Sequence, residues 1–141
     1  MTKQSVRFIP PQQSKQLTDF AERARTSLER YARAEVDFDA IGLQMLDEWI
    51  DRHLAQFPNP SQEIKMVWGA FLGETIRRRF NGQWAVSKSG KKGDLGILCS
   101  KPDSSLFYID VIKQLDRRLK IGMSQSLAYY YTIKGVDIKL S

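Results

Sequence analysis

Gly69-Ala70-Phe71-Leu72-Gly73-Glu74-Thr75-Ile76-Arg77-Arg78-Arg79-Phe80, "GAFLGETIRRRF", sets two glycines four residues apart, then one acid and three consecutive arginines. At about 100° per residue, Ile64, Val67, Trp68, Phe71, Leu72 and Thr75 share one broad helical face, and Gly69, Gly73, Ile76 and Phe80 form a second apolar strip beside it. A helix that is apolar over so much of its circumference reads as the buried central element of its domain. Each glycine costs such a helix about 1 kcal/mol relative to alanine, so close approach of another backbone at Gly69 and Gly73 is the expected compensation.

The polar half of the stretch carries the chemistry. Glu74 reaches Arg77 and Arg78 at three and four residues' separation, a spacing that supports a helix. As a catalytic carboxylate it lacks a second acid unless the fold brings Asp94 or Asp110 to it, so Glu74 is a weak catalytic candidate. Arg77, Arg78 and Arg79 point in three directions, and at most two of them can serve one surface. The third is expected to cap the negative end of the helix or to pair with Glu74.

Working outward, the central helix is expected to begin with Asn59 as N-cap, Pro60 at the first helical position and Gln62 in a capping box, and to close at Asn81-Gly82. Before it, Asp37 or Asp39 is placed to cap a helix running to Phe57, where Pro58 stops it. Earlier still, Leu17, Phe20, Ala21, Ala24, Leu28, Tyr31 and Ala32 recur at helical steps from Lys15. Residues 1–14, polar and marked by Pro10-Pro11, read as a flexible arm.

After Gly82 the period changes. Trp84 to Lys88 and Gly93 to Cys99 flank Ser89-Gly90 as a hairpin with basic residues near its tip. Leu106 to Leu119 has helical spacing, although Leu106 to Ile109 can begin as a third strand. Gly122 breaks that element. A short helix from Ser124 ends at Gly135, and Val136, Ile138 and Leu140 alternate with Asp137 and Lys139 as an edge strand would. The sum is one α+β domain over residues 15–141, with N-terminal helices, a buried central helix, a small antiparallel sheet and C-terminal helices.

Composition narrows the function classes. The chain of 141 residues carries a net charge of +6. Residues 1–70 hold nine basic against ten acidic residues, whereas residues 71–141 hold thirteen against six. Between Arg77 and Lys92 there are six basic residues and no acid, so this region should attract an anionic partner. No apolar run approaches the roughly 18 residues of a membrane span, and no apolar signal core follows Lys3 and Arg7. The single Cys99 fits a reducing compartment, and a cytoplasmic location is expected.

Other constellations are incomplete. His53, the one histidine, lies near Asp47, Glu48 and Asp51, but without a second histidine or a cysteine this reads as a solvated acidic face, not a metal site. No nucleophile elbow surrounds a serine, and Gly90-Lys91-Lys92-Gly93 lacks phosphate-loop spacing. No cofactor or metal is expected. Tyr129, Tyr130 and Tyr131 project around the last helix, and a tyrosine beside a basic patch is an interface candidate.

"GAFLGETIRRRFNGQW", residues 69–84, resembles the central motif of a family of small uncharacterised bacterial proteins. Its pattern is G-x-(F/Y)-L-G-E-x-(I/L)-R-R, followed by a glycine-ended turn and a tryptophan. Gly69, Phe71, Leu72, Gly73, Glu74, Ile76, Arg77, Arg78, Gly82 and Trp84 carry the likeness, and Gly122, Leu127 and Tyr130 extend it faintly. The resemblance implies an α+β fold, a bacterial or phage origin, and the immunity or accessory roles of similarly sized relatives.

The leading expectation is a non-enzymatic module that binds an acidic partner protein through Arg77, Arg78, Arg79, Lys88, Lys91, Lys92 and Tyr130, as an inhibitor, immunity or accessory protein would. A nucleic-acid-binding accessory protein using the same patch is the alternative, without a recognised binding motif. A small enzyme centred on Glu74 is the third.

Overall fold

The computed structural model describes residues 6–87 and 94–139. Its elements run β1 (Val6–Phe8), α1 (Pro11–Ala32), α2 (Ala40–Gln56), α3 (Gln62–Phe80), β2 (Gln83–Ser87), β3 (Asp94–Ser100), β4 (Leu106–Asp110), α4 (Ile112–Ile121), a 3-10 turn at Met123–Gln125 and α5 (Leu127–Lys139). This is an α+β fold, with a four-stranded antiparallel sheet in the order β1-β2-β3-β4.

The helices lie on one face of that sheet. Trp84, Ile97 and Ile109 stand in register across β2, β3 and β4, and all three are buried. Side chains alternate along a strand, so this row marks the helix-facing side. Against it lies α3, every residue of which from Val67 to Ile76 is buried. Helix α1 runs along α3 through Leu17, Ala21, Ala24 and Leu28, whose steps of four and three make one stripe. Helix α5 sits on α2. Among the described residues, no helix is long and apolar enough to cross a membrane.

Several boundaries differ from the sequence reading. Residues 6–14, expected in a flexible arm, form β1 and the first turn of α1. Pro11 occupies a position where its fixed φ suits a helix and its missing N–H is not required, so Pro10-Pro11 starts the helix. One edge strand of the sheet is therefore β1, the other being β4. The residues expected as a C-terminal edge strand, Val136 to Lys139, continue α5 instead. Leu127, Ala128, Tyr131 and Ile138 are its buried stripe, and Gly135 completes the spacing where Phe80 approaches to 3.5 Å of a Cβ built there. That burial outweighs the local alternation.

At the start of α3, Ser61 is the N-cap in place of Asn59, its hydroxyl accepting from the Ile64 N–H at 3.2 Å. At the end, the left-handed residue is Asn81 (φ 51°), and Gly82 donates its N–H to the Arg77 carbonyl. Asp39 caps α2 through the Gly42 N–H at 2.8 Å. Leu106 opens a third strand of the meander before α4, which Gly122 closes at φ 114°.

The glycine strip packs tightly, but against side chains and not a second backbone. A Cβ on Gly73 would fall inside the Trp84 indole, and one on Gly69 would meet Ile112 Cδ1 at 2.8 Å. Gly73 thus leaves room for the Trp84 indole of β2.

Candidate functional site

The C-terminal half of α3 gathers charge at its exit from the core. Glu74 lies one residue beyond Gly73, on the turn facing Trp84, and its side chain is fully enclosed. Arg77 Nε donates to its two oxygens at 2.9 and 3.0 Å, and Arg77 Nη2 also donates to Oε1. Arg78 Nε donates to Oε1 at 3.2 Å, and the Trp84 indole N–H to Oε2 at 3.2 Å. Burial pushes the carboxyl up, but these bonds outweigh it and hold Glu74 below the usual carboxylate range. In return, the bond to Glu74 raises Arg77.

This arrangement decides what Glu74 can do. Neither oxygen has an exposed edge for a substrate, and a carboxylate kept ionised by four donor groups is a poor proton donor. Asp94 and Asp110 do not come to it: Asp94 pairs with Lys113 at 3.2 Å, and the Asp110 carbonyl accepts from Tyr130. Glu74 is an anchor for arginines.

The three arginines diverge as their helical spacing requires. Arg77, about one-third exposed, turns toward β1 and α1 and lines a cleft of about 320 Å3 with Lys15 and Trp84. Arg78 is half-exposed and lies over the Phe38 ring, 4.1 Å from its centroid. Arg79 turns to the opposite side and lines a second cleft, of about 430 Å3, with Lys139, Tyr131, Val136 and Asp39. Lys88, Lys91 and Lys92 lie outside the described residues.

Of the tyrosines, Tyr129 is exposed, and Tyr130 is half-buried with its hydroxyl donating to the Asp110 carbonyl at 2.9 Å and Lys134 over its ring. Tyr131 is nearly buried and forms a wall of the second cleft. The tyrosine that shares a cleft with Arg79 is therefore Tyr131.

Sequence reasoning missed a second charged centre. Asp47, read as part of a solvated acidic face, is buried. Its Oδ1 accepts from Arg118 Nε at 2.8 Å and from the Leu127 N–H at 3.0 Å, and its Oδ2 from Ser126 Oγ at 2.8 Å and the Ala128 N–H at 3.1 Å. A side chain of α2 thus caps α5. Arg118, fully buried, also donates to the Asp47 carbonyl and to Asp51, while its Nη1 has no partner. Among the described residues, no group of three His, Cys, Asp or Glu side chains is placed to hold a metal ion.

Comparisons of the chain with protein-family models, curated proteins and solved structures found no match. The residues of the stretch 69–84 nevertheless form one spatial unit, in which Gly73 admits Trp84, Trp84 bonds Glu74, and Glu74 holds Arg77 and Arg78.

Proposed function

We propose that the protein is a non-enzymatic interaction module that binds an acidic partner protein through the basic surface at the end of α3, as an inhibitor, immunity or accessory protein would. The observation that carries this reading is the cleft in which Arg79 and Lys139 meet Tyr131 and the exposed Val136. Neither cation is in an ion pair among the described residues. Asp39, the one acid lining the cleft, is engaged as the cap of α2.

A partner carboxylate entering there gains charge-assisted hydrogen bonds, and an apolar neighbour on the same partner covers Val136 and the edge of Tyr131. Arg78 adds a further half-exposed cation on the Phe38 ring, next in sequence to Asp39 of the cleft. The basic excess of the second half of the chain steers acidic surfaces toward this end. The resemblance of residues 69–84 to small bacterial proteins agrees with an accessory role.

Fluorescence anisotropy with a labelled peptide alternating glutamate and phenylalanine tests the reading, with a labelled DNA duplex of equal charge in parallel. The peptide should bind, and Arg79→Glu combined with Lys139→Glu should weaken it at least tenfold. Equal affinity in that double variant would overturn the site. Preference for DNA, with affinity falling steeply in salt, would overturn the acidic-protein reading in favour of nucleic acid.

A further inference from the structure

The cleft on the other side of α3 has a different character. It opens between β1, the start of α1 and the start of β2, and Phe8, Ile9, Lys15, Arg77, Gln83 and Trp84 are among its walls. Both of its charged residues are cations. An adjoining hollow shares Phe8 and Ile9 and adds Arg7, again without a carboxylate. Asp19, one turn beyond Lys15, lines a further hollow that Lys15 also borders, and among the described residues the two form no ion pair.

Arg77 is held for this task in a specific way. Its Nε and Nη2 are fixed on the buried Glu74 carboxylate, while Nη1 makes no hydrogen bond among the described residues. One edge of the guanidinium is thus locked, and Arg77 lines the cleft. A cation locked in this manner loses little freedom when it meets an anion. Its charge is not cancelled by the anchor, because Arg78 shares Glu74 and the three groups together carry one net positive charge.

Around the two cations stand neutral polar groups and an apolar floor. Ser14 and Gln83 line the cleft and engage no side-chain partner among the described residues, whereas the Thr18 hydroxyl is turned to the Ser14 carbonyl at 3.0 Å. The volume, about 320 Å3, falls at the lower end of small-molecule sites. Two converging cations match a doubly charged oxyanion better than a single carboxylate, since arginine presents paired donors and lysine a point charge.

We infer that this cleft is a binding site for a small phosphomonoester, its phosphate between Lys15 and Arg77 and its organic body against Phe8, Ile9 and Trp84. The site is separate from the Arg79–Lys139 surface and does not depend on that surface binding a protein.

The test follows the three tryptophan indole N–H resonances by 15N NMR while phenyl phosphate, inorganic phosphate or sodium chloride is added at matched ionic strength. Trp84, assigned through Trp84→Phe, should shift saturably with both phosphates and not with chloride. Trp49 and Trp68 should stay in place, and phenyl phosphate should bind more tightly than inorganic phosphate. Lys15→Gln, on the exposed side of α1, should weaken phenyl phosphate at least tenfold at unchanged melting temperature. The Arg79→Glu, Lys139→Glu double variant should bind it as the natural chain does. Saturable binding of inorganic phosphate with no gain from the phenyl ring would replace the organic ligand by free phosphate and overturn the phosphomonoester assignment. No saturable shift at Trp84, or unchanged affinity in Lys15→Gln, would overturn the site itself.

Discussion

Glu74 and Asp47 are both enclosed carboxylates that gather four donor groups, yet they do opposite things for the molecule. Glu74 takes its donors from its own helix and the next strand, and its arginines extend from it into water. Asp47 takes its donors from the far end of the chain, and its arginine is wholly buried. The first carboxylate orients cations outward, and the second fastens α5 to α2. A buried acid thus presents cations to solvent or fastens elements together according to where its partners' other edges lie.

Substitutions can break that contrast. Asp47→Ala has the largest expected effect, because it strands Arg118 in the core and uncaps α5. Removing one partner of a buried pair costs about 3–5 kcal/mol, read from urea unfolding. Glu74→Gln should cost less, about 1–3 kcal/mol, because Arg77 and Arg78 can turn into solvent and the amide oxygen still accepts from Trp84. Equal losses in the two variants would remove the distinction between the centres.

The glycine strip sharpens the comparison further. Gly73→Ala should cost about 1–3 kcal/mol through the displaced Trp84 ring, and it should loosen the indole bond to Glu74. Gly69→Ala meets only the flexible end of Ile112 and recovers about 1 kcal/mol of helix propensity, so its stability should stay close to that of the natural chain. Thermal melts of the two alanine variants rank the sites; a larger loss at Gly69 would contradict the packing described.

Legibility from sequence followed the reach of the interactions. The pairs of Glu74 with Arg77 and Arg78 are fixed by helical spacing alone, and α1, α2 and α3 were readable because their stripes are local, although α1 starts at Pro11 and α3 is capped by Ser61. Asp39 was one of two cap candidates, with Asp37, for the same reason. Trp84 over Gly73 was not, because it depends on how the chain returns after Asn81. Asp47 looked like the solvent-facing neighbour of Asp51, since its partners Arg118, Ser126 and Leu127 adjoin it only after α4 and α5 dock. Val136 to Lys139 alternated like a strand, yet the burial of Ile138 and Tyr131 on one stripe of α5 determined a helix. The divergence of Arg77 and Arg79 into clefts on different sides of α3 was visible only in their wheel angle.

The central claim is that Glu74 is an anchor kept ionised at neutral pH and not a catalytic acid. Its folded pKa is depressed, so the stabilisation it provides is present above the unfolded carboxylate value, about 4.3, and is lost as pH falls through the lower folded value. The stability gap between the natural chain and Glu74→Gln should therefore narrow in acid. The most direct measurement is the side-chain 13C carboxyl shift of Glu74 followed from pH 7 into acid. The account predicts a midpoint below that of the exposed glutamates; a midpoint at or above theirs would contradict it and return Glu74 to the candidates for acid catalysis.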